Sequence, residues 1–108
     1  MDETRYNQLV AAAFGRLLRG LDKADPDLLD ADSTGDMVTI TAASGGKVVV
    51  NTQRAARQIW VAGKGLGVHF SFQPDGQWMD DKAKGVELFA FVREAVEAMS
   101  GVRLELDG

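Results

Sequence analysis

Gln58-Ile59-Trp60-Val61-Ala62, then Gly63-Lys64-Gly65-Leu66-Gly67, then Val68-His69-Phe70-Ser71-Phe72 is the stretch on which the fold turns. Its outer two segments alternate with the period of half-buried strands. Ile59 and Val61 share one face, as do Val68, Phe70 and Phe72, while Gln58, Trp60, His69 and Ser71 point the other way. The middle segment, Gly63 to Gly67, is too rich in glycine for a helix and reads as the loop joining the two strands. A sheet with one apolar face needs a second layer to bury that face.

On either side of this pair the chain continues in short extended runs. Downstream, Pro74-Asp75-Gly76 is a turn signal leading to a short strand at Gln77 to Met79. Upstream, Met37 to Thr41 and Lys47 to Asn51 are β-branched runs joined through Ser44-Gly45-Gly46, which has the glycine content of a tight hairpin loop. Between Pro26 and Gly35 the composition shifts to aspartate and small residues, and we expect a loop there.

The second layer comes from the chain ends. Tyr6, Leu9, Val10, Ala13, Phe14, Leu17, Leu18 and Leu21 form the i, i+3, i+4, i+7 stripe of an amphipathic helix. Asp2 or Thr4 is placed to cap it. Pro26 disfavours helical geometry at Asp25, so the helix ends near Lys23 or Ala24. Helical spacing returns from Val86 to Met99 through Phe89, Val92, Val96 and Met99, with Gly101 as the residue after the helix. Val102 to Leu106 alternates apolar and charged residues; it either lies across the helix pair or adds an extended segment. The expected fold is therefore α+β: a two-layer α-β sandwich, with N- and C-terminal helices packed on one face of a mainly antiparallel sheet. A chain of 108 residues fits a single domain, 1–108.

Charge and composition exclude several functions. A formal net charge of -4 lacks the basic footprint that a general nucleic-acid binder or an anionic membrane demands. With no cysteine there is no disulfide, thiolate metal site or thiol nucleophile. The start, Met1-Asp2-Glu3, lacks the basic-then-apolar pattern of a secretory signal, and no apolar run is long enough to span a bilayer. A cytoplasmic address suits these features. The glycines at 63, 65 and 67 do not open a helix on Lys-Ser/Thr, so they do not make a phosphate-binding loop. Ser71 and Ser100 have no triad context, and His69 is the sole histidine.

Three features remain for function. Asp22, Asp25, Asp27, Asp30, Asp32 and Asp36 form an acidic stretch interrupted by Lys23. It is either a solvated edge that repels strand addition or an open cation surface for Ca²⁺, Mg²⁺, Mn²⁺, Fe²⁺ or Fe³⁺; its spacing does not match the EF-hand. The polar sheet face carries Gln58, Trp60 and His69, with Asn51 and Gln53 nearby. An outward tryptophan among amides has the composition of a binding hot spot, unless loop residues cover it or the register is shifted by one residue. Finally, no acid occurs between Asp36 and Asp75, where Lys47, Arg54, Arg57 and Lys64 lie. A basic sheet beside an acidic helix end favours oriented docking.

The segment Asn51-Thr52-Gln53-Arg54-Ala55-Ala56-Arg57-Gln58-Ile59-Trp60-Val61-Ala62 resembles the signature of the frataxin family, in which an Asn, a nearby Gln and a Gln-Ile/Val-Trp step mark the central strands. Gly67-Val68-His69-Phe70-Ser71-Phe72 and Gln77-Trp78-Met79-Asp80 are similar to its bacterial CyaY branch, and the spaced aspartates after Leu21 resemble its acidic ridge. The resemblance implies the same sandwich. It also implies weak, surface-bound iron, Fe²⁺ or Fe³⁺, held by Glu3, Asp22, Asp25, Asp27, Asp30 and Asp32. The implied partners are a cysteine desulfurase and the iron–sulfur scaffold protein, engaged by the ridge together with the face of Asn51, Gln53, Gln58, Trp60 and His69. The implied role is a regulatory adaptor that is not an enzyme and is a monomer without metal. A ferroxidase or an iron-storage protein is the alternative, although no Glu-x-x-His is present. Two departures stand out: Arg54-Ala55-Ala56-Arg57 replaces a stretch where the family often has Pro, and Lys23 and Leu28-Leu29 thin the ridge. No mitochondrial targeting extension is seen, as expected of a bacterial protein.

Overall fold

Helix α1 (Glu3–Asp22) starts at Asp2, whose carboxylate accepts the Arg5 N–H at 2.7 Å. Its stripe buries Tyr6, Val10, Ala13, Phe14, Leu17 and Leu21, with Leu9 and Leu18 packed at the margin. This is a computed structural model, and it describes residues 1–82 and 84–106.

The aspartate-rich segment expected as a loop contains a strand, β1 (Leu29–Ser33), paired antiparallel with β2 (Met37–Ala42). Only Leu29 of this strand is buried. Its conformation comes from the backbone ladder to β2, so it lacks the apolar alternation that marks a strand in sequence, and aspartate is depleted in strands. The strands β3 (Lys47–Gln53), β4 (Gln58–Gly63), β5 (Leu66–Phe72) and β6 (Trp78–Asp80) follow, and helix α2 (Leu88–Ser100) closes the fold. Sheet order is β1-β2-β3-β4-β5-β6, antiparallel throughout among the described residues.

The connection between β4 and β5 is tighter than expected. The strands run on to Gly63 and Leu66, leaving Lys64 and Gly65 with φ of 55° and 71°, the left-handed pair of a type I′ turn. One layer consists of the two helices; facing it, Val38, Ile40, Val50, Ile59, Val61 and Phe70 are fully buried. The tail takes the first of its two expected courses in part. It is not a strand, and Leu104 and Leu106 are buried against the core, with the Leu106 carbonyl accepting a bond from Arg16 Nε on α1.

Strand β6 lies one residue later than expected, and its register sets Trp78 opposite Phe72 on the inner face. Its ring meets Tyr6 and Phe72 edge-on, with centroids at 6.5 and 5.3 Å. Helix α2 begins at Leu88, two residues after the expected start, because Val86 and Glu87 are used otherwise. Asp80, the one buried charged side chain among the described residues, accepts the N–H groups of Lys84 (3.1 Å) and Val86 (3.0 Å). Glu87 then caps α2 by accepting from Phe89 and Ala90.

Burial of Asp80 opposes its ionisation, but the N–H groups of Val86, Lys84 and Lys82 together hold its carboxyl below the ordinary range. A carboxylate with a depressed folded pKa stabilises the fold above its unfolded pKa, about 3.9, and that stabilisation is lost as pH falls through the lower folded value. We therefore expect Asp80→Asn to lower amide-exchange protection at Lys84 and Val86 near neutral pH and to flatten the acid limb of the unfolding curve below about pH 4. An unchanged acid limb in the variant would show that Asp80 does not contribute this linkage.

Candidate functional site: the outer sheet face and its acidic edge

Because side chains alternate, the register sorts the outer face into rows across the strands. Met37, Asn51, Trp60 and His69 form one row on β2 to β5, and Gln53, Gln58, Ser71 and Met79 form the next. All five residues expected on this face, Asn51, Gln53, Gln58, Trp60 and His69, are thus brought together on β3 to β5. A third row runs Asp32, Thr39, Val49, Ala62 and Gly67, and a fourth joins Asp30, Thr41 and Lys47. Asp30 and Asp32 therefore share the face of Trp60, on a strand three spacings or about 14 Å from β4 and in rows farther along the sheet.

The centre of this face is wired. Gln58 Nε2 donates to Ser71 Oγ at 2.9 Å, which sets Gln58 Oε1 3.2 Å from His69 Nδ1, the geometry of an Nδ1–H tautomer. Trp60 meets the His69 ring edge-on at 6.3 Å. Its indole lies over Gly67, where a Cβ would stand only 3.0 Å from Nε1. Trp60 is half-buried instead of fully outward, packed over Gly67 of the neighbouring strand. Gly67 and Ser71 are site residues not singled out from sequence: the parity of β5 had placed Ser71 on this face, while Gly67 had been read as part of the loop and joins the face because β5 starts at Leu66.

The start of α1 is tied to the sheet beside this face. Tyr6 Oη donates to the Gln58 carbonyl at 2.6 Å, and the guanidinium groups of Arg54 and Arg57 lie 5.8 and 5.7 Å from its ring centre. Burial pushes the Tyr6 phenol upward. Arg54 also bonds Asn7 and pairs with Asp36 at 2.6 Å. That hydrogen bond holds the Asp36 carboxyl below its usual range and raises Arg54. Asp36 is thereby withdrawn from the acidic stretch. Of the basic residues on the sheet, Lys64 lies 3.8 Å from Glu94, while Lys47 and Arg57 are in no ion pair among the described residues.

The six carboxylates of the ridge are all exposed, and they are spread out. Asp22 and Asp30 rim one shallow depression of about 260 Å³ between α1 and β1, floored by Leu18, Leu21 and Leu29. Asp25 accepts the Asp27 N–H at 2.9 Å in the turn between them. Glu3 stands at the far end of α1, about 28 Å along the axis from Asp22. Among the described residues, no three acidic or imidazole groups converge in a way that would hold one ion. Nor is any helix there long and apolar enough to cross a membrane.

Residues 1–102 match the Frataxin-like domain family. The chain belongs to the frataxin family. Its relatives include the iron-sulfur cluster assembly protein CyaY of Tolumonas auensis, 31% identical over 98% of this chain and 99% of that protein. The CyaY protein of Pseudoalteromonas atlantica is 33% identical over 94% and 92% of the two chains. These relatives place the chain in the bacterial branch of the frataxins. Among solved frataxin structures, that from Psychromonas ingrahamii shares the fold over 100% of both chains, with a TM-score of 0.89 at 23% identity. Yeast frataxin matches 89% of this chain and 80% of its own, with a TM-score of 0.69 and 25% identity. The frataxin sandwich expected from periodicity and from resemblance is the one observed.

Proposed function

We propose that this chain is an iron-binding adaptor of iron–sulfur cluster assembly, in which the acidic edge and the Trp60 face act as one docking surface for a cysteine desulfurase and its scaffold protein. The observation that carries the reading is the register: Asp30 and Asp32 share the outer face with Asn51, Gln53, Gln58, Trp60 and His69. The names of the CyaY relatives supply the pathway. Exposed carboxylates strung along an edge favour solvated, exchangeable Fe²⁺ or Fe³⁺, held by Glu3, Asp22, Asp25, Asp27, Asp30 and Asp32, over a converged di-iron oxidation centre. The same carboxylates suit the arginines of a basic partner surface, since a guanidinium pairs with a carboxylate in two places.

Chemical-shift mapping with Fe²⁺, Ca²⁺ and the desulfurase in turn tests this. Metal perturbation confined to Glu3 and to Asp22 to Asp32, with partner perturbation extending to Trp60, is expected. Changing Asp22, Asp25 and Asp27 together to Asn should weaken desulfurase binding about tenfold, or about 1.4 kcal/mol. Undiminished binding by that variant would remove the ridge from the docking surface.

A further inference from the structure

We propose that the outer edge of β1 receives an extended basic segment of a partner protein as an added strand. The Leu28 carbonyl accepts the Ala43 N–H at 2.9 Å, and the Thr34 N–H donates to the Met37 carbonyl at 2.8 Å. In an antiparallel pair, successive residues turn their backbone groups alternately toward the partner strand and away from it. Leu28, Asp30, Asp32 and Thr34 therefore spend theirs on β2, and Leu29, Ala31 and Ser33 turn theirs to the other side. The Leu29 N–H is taken by the Asp25 carbonyl at 3.1 Å. The Leu29 carbonyl and both groups of Ala31 and Ser33 have no backbone partner among the described residues, since β1 ends the sheet. A row of donors and acceptors is left open along the strand.

The side chains along this edge decide what fits it. Ala31 has the parity of buried Leu29 yet is exposed, and it lines the depression of about 260 Å³ floored by Leu18, Leu21 and Leu29. A residue added opposite Ala31 projects over this apolar floor, while residues opposite Asp30 and Asp32 project on the outer face beside their carboxylates. Asp22 and Asp30 are the charged residues on the rim, and neither they nor Asp32 is ion-paired among the described residues. Lys23, next to Asp22 in sequence, lines a separate depression against the tail. An apolar residue between two arginines or lysines complements all three positions. The same aspartates oppose pairing with the β1 edge of a second copy, which would bring like charges together. The inference rests on the reading of the acidic edge as a docking surface, and adds that main-chain hydrogen bonds hold the partner there.

The probe is an acetylated, amidated pentapeptide, Arg-Val-Arg-Val-Arg, titrated into the isotope-labelled chain. Saturable shifts at the amides of Leu29 to Ser33, with slowed hydrogen exchange at Ala31 and Ser33, are expected. Ala31→Pro removes one edge-facing N–H but leaves the ladder to β2 and every carboxylate in place, and should bind the peptide at least tenfold more weakly. A backbone N-methylated peptide should bind the unaltered chain at least tenfold more weakly as well, which keeps the test decisive if the variant fails to fold. Three results each overturn the proposal: undiminished binding of the N-methylated peptide, no protection at Ala31 and Ser33 in millimolar peptide, or equal binding of Glu-Val-Glu-Val-Glu. The first would leave an edge that docks by side-chain charge alone. The adaptor reading survives that result, because it is decided separately by desulfurase binding to the chain altered at Asp22, Asp25 and Asp27.

Discussion

A chain ending at Gly101 is expected to be less stable than the full chain by about 3–6 kcal/mol, because it loses two leucines whose burial stabilises by about 1.5–3 kcal/mol each. Leu104 and Leu106 are 3% and 1% exposed. They are held where the tail runs along α1 at Gly20: a Cβ there would stand 2.5 Å from Leu106 Cδ2 and 2.7 Å from the Glu105 carbonyl oxygen. Arg16 secures the same contact, donating to the Leu106 carbonyl while its guanidinium lies 4.1 Å from the centre of the Phe89 ring on α2. Gly20 is therefore a helix-interior glycine kept for backbone approach, and its substitution should change sign with the tail. In the full chain Gly20→Ala overpacks the contact and costs about 1–3 kcal/mol. In the shortened chain it gains up to about 1 kcal/mol from helix propensity. Urea unfolding of the four chains measures this coupling. The same sign in both backgrounds would mean that the tail does not seat on Gly20. Against a typical domain stability of about 5–15 kcal/mol, the truncation removes a large share.

Trp60→Ala should weaken docking on the desulfurase or scaffold by about 30-fold, the 2 kcal/mol typical of an aromatic hot spot, while the chain remains folded. The neighbours Ile59 and Val61 keep β4 anchored on the inner face, and Trp60 itself is only half-buried. A second variant separates the ring from its seat. In Gly67→Val the indole has lost the space over β5, so Trp60 is present but displaced. Its Nε1–H resonance should move, and affinity should fall between that of the wild type and Trp60→Ala. If Trp60→Ala bound its partners within twofold of the wild type, the outer face would carry no docking energy, and the ridge would have to act alone.

How much of this was legible depended on whether a residue's environment is local. The stripe from Tyr6 to Leu21 and the alternation from Gln58 to Phe72 announced α1, β4, β5 and the inner face, because one buried face imposes a period on sequence. The same parity put Trp60, His69 and Gln58 on the outer face. Strand β1 was invisible because a solvated edge strand buries one residue in five and owes its shape to its pairing with β2, from Leu29 opposite Ala42 to Ser33 opposite Val38. Asp36 counted as one more acid of the stretch by position, yet it pairs with Arg54. Asp80 stood in the sequence only as the end of the Gln77–Asp80 motif; its role shows once the chain folds its carboxylate under the amides of Lys84 and Val86.

Sequence alone determined the two helices, the central hairpins, the α+β sandwich and the composition of the outer face, since hydrophobic period and turn chemistry act within a few residues along the chain. Tertiary structure decided which charges are free and which are spent, where the tail lies, and that Asp30 and Asp32 share a face with Trp60. Those are matters of register and close approach between segments far apart in sequence, and no local pattern encodes them.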